Sequence, residues 1–176
     1  MKKLLLIFTF FLGAVGFAQT ITMTTTSVSG TWQLVNVTNS GATLEWEATG
    51  DLIPTQTFTA NAPTFDFSAN DGSPINITVT STDAFTGMNE LEVYSLDITD
   101  LDLTNTTALG RLHIANNLGL AAIDLSTLTQ LNRLRSAPNS LTALDISNNP
   151  LLTEVSVQDN NLPATELDAI VNQLDA

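Results

Sequence analysis

The chain of 176 residues contains no cysteine. That excludes disulfide staples, thiolate metal sites and a cysteine nucleophile, and it removes the acylated cysteine that would anchor a bacterial lipoprotein. Basic residues are nearly as scarce: the two lysines are Lys2 and Lys3, and the three arginines are Arg111, Arg133 and Arg135. Against them stand 18 acidic residues. Phosphate-backbone binding needs cations that displace counterions, so nucleic acid is a poor fit as partner, and anionic membrane surfaces are disfavoured likewise. Such a surface favours solubility, with cation binding as the sharper alternative. Aromatic residues stop at Tyr94. Beyond Ala18 no apolar run approaches the roughly 20 residues that a spanning helix needs.

What is present begins with a targeting segment. Lys2 and Lys3 form a positive start, Leu4 to Ala18 form an apolar stretch of 15 residues, and Gly16 and Ala18 have the small-residue spacing of a cleavage site. Residues 1–18 therefore read as a signal peptide removed before Gln19, and the mature chain as secreted or held at the cell surface with no stable membrane span. Its formal charge is −15, three arginines against 18 acids.

Residues 19–87 have a period of two. Ile21 and Met23, Leu44 and Trp46, Phe65 and Phe67, and Ile75, Ile77 and Val79 alternate with polar residues, and turn signals stand at 39–41, 49–51 and 70–72. Alternation bounded by turns predicts five or six antiparallel strands in a small sandwich or curled sheet, buried on one face. The large rings belong to this part, so the change to aliphatic packing near Gly87 marks the expected domain boundary.

From Met88 a phrase recurs. The runs from Leu109, Leu131 and Leu152 fit L-x-x-L-x-L-x-x-N-x-L, with Leu112, Leu134 and Val155 at steps of 22 and 21 residues and Asn117, Asn139 and Asn160 at the same steps. Leu91 and Val93 extend the pattern backwards, with Leu96 in the Asn position. This period marks a leucine-rich-repeat solenoid of about four turns. A shifted copy (Ile98, Leu101 and Leu103; Leu120, Ile123 and Leu125; Leu141, Leu144 and Ile146) leaves about ten residues per half-turn. That predicts parallel strands on a concave side and extended or tightly turned backbone on the convex side. Thr165 as N-cap with Asp168 three residues on predicts a closing helix, whose face Leu167, Ile170, Val171 and Leu174 covers the last turn. The expected fold is thus mainly β, an antiparallel module followed by a solenoid with a cap helix over 88–176.

Residues 88 to 174, about half the chain, resemble the short-period leucine-rich repeats of secreted bacterial surface proteins, internalin-like in the broad sense. The alternating module, through its Leu44-Glu-Trp-Glu stretch, resembles the immunoglobulin-like or PKD-like domain that precedes such arrays. The resemblance implies a non-enzymatic binding or adhesion protein with an extracellular protein or carbohydrate ligand. With only about four turns and an end just past the helix, this chain departs from the pattern, which leaves room for a longer parent chain with further domains.

The residues between the repeat positions carry the candidate chemistry. The concave column Glu92, His113, Arg135 and Ser156, with the neighbouring Tyr94 and Gln158, is the expected binding face. Its area, roughly 300 to 350 Å² from strand spacing and length, is below the ~800 Å² per side of a stable protein partner, so a weak contact, a small epitope or a glycan is expected. Asp102, Asp124 and Asp145 recur as a ladder that hydroxyls of Thr104, Ser126 and Ser147 could pair; calcium is the cation such oxygen ligands suit, and no other cofactor is implied. The Asn column is expected to satisfy backbone groups inside the coil. No catalytic set can be assembled around His113, the one histidine, so an exported hydrolase stands behind a binding module and behind a structural spacer of a longer secreted protein.

Overall fold

The two periodicities become two five-stranded sheets on one continuous apolar core. The computed structural model describes residues 19–34, 36–39 and 43–175; the expected signal peptide and the Ser40–Gly41 part of the first turn lie outside them.

The first sheet joins β4 (Gln56–Thr59), β3 (Leu44–Thr49), β5 (Ile75–Ser81), β1 (Thr20–Thr25) and β7 (Ile98–Asp102) in that order, antiparallel throughout. Ile21, Met23, Leu44, Trp46, Ile75, Ile77 and Val79 point inward and are buried, while the intervening threonines and glutamates face out, as the pleat requires. Phe65 and Phe67 form no regular strand; Phe65 makes a bridge to Trp32. Their rings fill the core, with Trp32 and Phe65 edge to face at 5.7 Å and Phe65 stacked on Phe67 at 5.6 Å.

The second sheet runs β10 (Glu154–Ser156), β9 (Arg133–Ser136), β8 (Arg111–Ala115), β6 (Met88–Tyr94) and β2 (Asn36–Asn39). The four repeat phrases supply β6, β8, β9 and β10, which are parallel, with Leu91, Leu112, Leu134 and Val155 in one register row. These four rungs bound three complete turns of solenoid. On the opposite side each turn carries two successive i→i+3 backbone bonds. In the first they are Thr106 N–H to Leu103 O and Leu109 N–H to Thr106 O, and the same pair recurs at Leu128 and Leu131 and at Asn149 and Leu152. Ten residues suffice for that tight backbone and not for a crossover helix.

Each sheet takes strands from both sides of Gly87. β7, the first half-turn, pairs with β1 (Met23 opposite Leu101), and β2 pairs with β6 (Val37 opposite Leu91). Trp32 Nε1–H and the Thr25 hydroxyl both donate to Leu96 O. The degenerate first repeat therefore has neighbours on both sides. The crossing loop is held by Asp83, whose carboxylate accepts from the Ser81 and Thr86 hydroxyls and from Phe85 and Gly87 N–H. These bonds, the Ser81 hydroxyl's foremost, keep the Asp83 carboxyl below its ordinary pKa. They also hold Ala84 and Phe85 at φ of 56° and 60°, a left-handed conformation that costs about 1–2 kcal/mol per non-glycine residue.

The closing helix α1 spans Ala164–Leu174, and its start corrects the sequence reading. Pro163, at φ −69°, is the N-cap, and no side chain caps the first turn. Proline's fixed φ ends the extended chain one position before alanine, and Pro163 O accepts from Glu166 and Leu167 N–H; Thr165 is already inside the helix. The face also covers less than its period suggests: Ile170 is buried, but Leu167, Val171 and Leu174 are 42%, 56% and 39% exposed. Ile170 thus makes the seal. Ile170→Asp is expected to destabilise the protein by about 2–4 kcal/mol, the cost of an unpaired buried carboxylate plus lost packing; an unchanged urea midpoint would show that the helix closes nothing.

Candidate binding face

The outward face of the parallel sheet is built by the alternation that buries its other face. Leu91 and Val93, Leu112 and Ile114, and Leu134 and Ser136 point inward, so the residues that alternate with them point out in rows across the rungs. The row expected from the sequence is present: Glu92 lies opposite His113, His113 opposite Arg135, and Arg135 opposite Ser156. Tyr94 and Ala115 are opposite in the next row, and beyond the end of β10 Gln158 Oε1 accepts the Ser156 hydroxyl at 2.7 Å.

A third row escaped the sequence reading: Glu90, Arg111, Arg133 and Glu154. Its signal was available, because the residue before each repeat leucine shares a face with the residue after it. All three arginines of the chain thus stand on β8 and β9. They are flanked by Glu90 and Glu92 on β6 and by Glu154 on β10. Glu154 is held by two of them: Arg135 Nε and Nη2 donate to Oε1 at 2.9 and 2.7 Å, and Arg133 Nε lies 2.8 Å from Oε2. The Arg135 hydrogen bonds, with Arg133 beside them, hold the Glu154 carboxyl below its usual range. Arg111 is held more loosely, 3.9 Å from Glu90.

At the rim, Tyr94 and His113 form a polar pair, with hydroxyl and Nδ1 2.9 Å apart and the rings edge to face at 4.4 Å. Burial pushes the His113 pKa down, Arg135 adding to this and Glu92 opposing it, while burial and then Glu92 push the Tyr94 hydroxyl up. Both directions favour a phenol that donates to a neutral imidazole.

The other expected columns resolve differently. The Asn column lies inside the coil. Asn117 Oδ1 accepts from Leu96 and Ile98 N–H, and its Nδ2 donates to Val93 and Ala115 O. Asn139 Oδ1 accepts Asn117 N–H, and Asn160 Oδ1 accepts Leu141 N–H. The Asp ladder is turned onto its own backbone: Asp102, Asp124 and Asp145 accept N–H of Thr104, Ser126 and Ser147 at 2.9, 2.8 and 2.8 Å. Those amide bonds keep Asp124 and Asp145 below the ordinary carboxylate pKa. Among the described residues no three histidine, aspartate or glutamate side chains converge as a metal site. Nor, among the same residues, is any helix long and apolar enough to cross a membrane.

No family model matches the chain, and no curated protein matches it. Among solved structures the chain is similar to the functional domain of InlJ from Listeria monocytogenes, a domain that includes a cysteine ladder, at 27% identity and a TM-score of 0.33. The match covers 48% of this chain and 23% of that one. The architecture is a three-turn β-solenoid with a C-terminal helix, built onto a five-stranded antiparallel sheet.

Proposed function

We propose that the chain is a secreted or cell-surface binding module that presents the outward face of β6, β8, β9 and β10 to an extracellular protein or carbohydrate. What supports this reading most is the gathering of every arginine of an otherwise acidic chain onto that face. Solubility and solenoid packing ask for no such gathering. The double variant Arg135→Glu with Tyr94→Ala tests it, because both side chains lie on the face and neither belongs to the core. Binding of the intact chain to panels of immobilised extracellular proteins and glycans is expected to fall at least tenfold, the loss of roughly 1.4 kcal/mol, with the melting temperature nearly kept. Undiminished binding would move the site elsewhere. A structural role within a longer secreted protein is favoured by a separate observation, the exposed Leu167, Val171 and Leu174 on α1, which suit contact with another part of such a chain.

A further inference from the structure

On the reading that this face is the binding surface, we infer that β8 and β9 hold a carboxylate-binding site for an extended acidic peptide segment of a partner protein, with Arg133 and Arg135 as its clamp and Glu154 as an internal occupant that the peptide displaces.

Three observations carry this. First, the arginines are arranged against their own repulsion. Arg111 and Arg133 are direct partners in the parallel register, where like charges destabilise a sheet, and anions at the sides relieve the pair. Secondly, the clamp geometry is already displayed. One carboxylate, that of Glu154, receives a separate arginine on each oxygen, the charge-assisted geometry in which guanidinium recognises carboxylate. Glu154 sits on the edge strand β10, so its side chain can swing clear without opening the core. Thirdly, a small recess of about 60 Å³ lies at the middle of the face, lined by the three arginines, His113, Glu90 and Glu92 among others. That is the liquid volume of about two waters, room for one carboxylate group.

The spacing selects the kind of partner. Arg133 and Arg135 are two residues apart on one strand, about 6.6 Å at their Cα atoms, so once Glu154 is displaced each can take one of two carboxylates on alternate residues of an extended peptide. A glycan would want exposed aromatic rings for stacking, and Tyr94 is half-buried and turned edge-on to His113. Long acidic stretches would be repelled by the rest of the chain, whereas a short segment with two carboxylates meets cations at the centre of the face.

The test uses the intact secreted chain and a dye-labelled synthetic peptide alternating glutamate and threonine, read by fluorescence anisotropy. A matched glutamine–threonine peptide and polygalacturonate serve as comparisons. Expected are saturable binding of the acidic peptide alone, weakened about tenfold between 50 and 300 mM salt through charge screening, and loss of binding in Arg133→Gln with Arg135→Gln. Glu154→Gln is expected to tighten binding about fivefold by removing the competing charge, whereas Glu166→Gln, the same change of net charge on α1, leaves it unchanged. Failure of Glu154→Gln to tighten binding, an equal gain in Glu166→Gln, or binding that survives loss of both arginines overturns the clamp. Polygalacturonate bound in place of the peptide overturns the peptide assignment. If the acidic peptide is not bound while Arg135→Glu with Tyr94→Ala still abolishes binding to an extracellular ligand, the face stands as the binding surface and the carboxylate site falls. Unaltered melting of each variant confirms that the fold is retained.

Discussion

Asn117→Ala is expected to lower the stability of the fold by about 3–5 kcal/mol and its melting temperature by roughly 10 °C. The Asn117 side chain is fully buried and makes four hydrogen bonds, to Leu96 and Ile98 N–H and to Val93 and Ala115 O. Alanine would leave the Leu96 and Ile98 amides without that partner at a bend that water does not reach. Each such group costs about 1–3 kcal/mol, and partial relaxation keeps the total below the sum. Because Leu96 O also receives Trp32 Nε1–H, the loss loosens the seam between the two sheets as well as one turn. Asn160→Ala, at a half-buried position in the last turn, should cost only about 1–2 kcal/mol. Urea unfolding of the two variants measures the difference; a cost under 1 kcal/mol for Asn117→Ala would remove the Asn column from the forces that hold the coil.

Ending the chain after Gly87 is expected to abolish cooperative folding altogether. The remaining sheet would lose β7 from the edge of β1, and β2 would lose β6, its partner in the second sheet. Trp32, 1% exposed in the intact chain, would lose its acceptor at Leu96 O and much of the apolar cover around its ring. Stability is a small difference between large terms, about 5–15 kcal/mol for a whole domain. A fragment stripped of an edge strand and one wall of its core has no such margin. The expected result is red-shifted tryptophan emission and no sigmoidal thermal transition. A native-like emission maximum with a cooperative melt would show that residues 19–87 fold as a unit despite the shared sheets.

The repeat half of the fold was legible because one short-range rule generates it. Leucines two apart within a phrase and 21 or 22 residues between phrases leave a parallel rung as the way to bury every leucine, and the rungs at Leu91, Leu112, Leu134 and Val155 follow. The tight convex turns follow from the shortness of the half-turn. Helix α1 was legible in type and not in detail. Its start depends on the local geometry of Pro163, and its cover depends on how far the last turn reaches beneath it; of four apolar side chains only Ile170 meets that turn closely. The binding face was half legible. The row after each leucine was read and the row before it was not, although both follow from the same alternation.

By itself, then, the sequence determined the periods, and with them the strands, the register of the rungs and the side chains of the outward face, because those depend on neighbours one or two residues away. The tertiary structure alone decided that β7 completes the first sheet and β2 the second, and that Trp32 is tied to Leu96 across the seam. It also decided that Glu154 lies between Arg133 and Arg135. Those contacts join residues 19 to 80 positions apart, and they form only when closure of the common core brings the partners together.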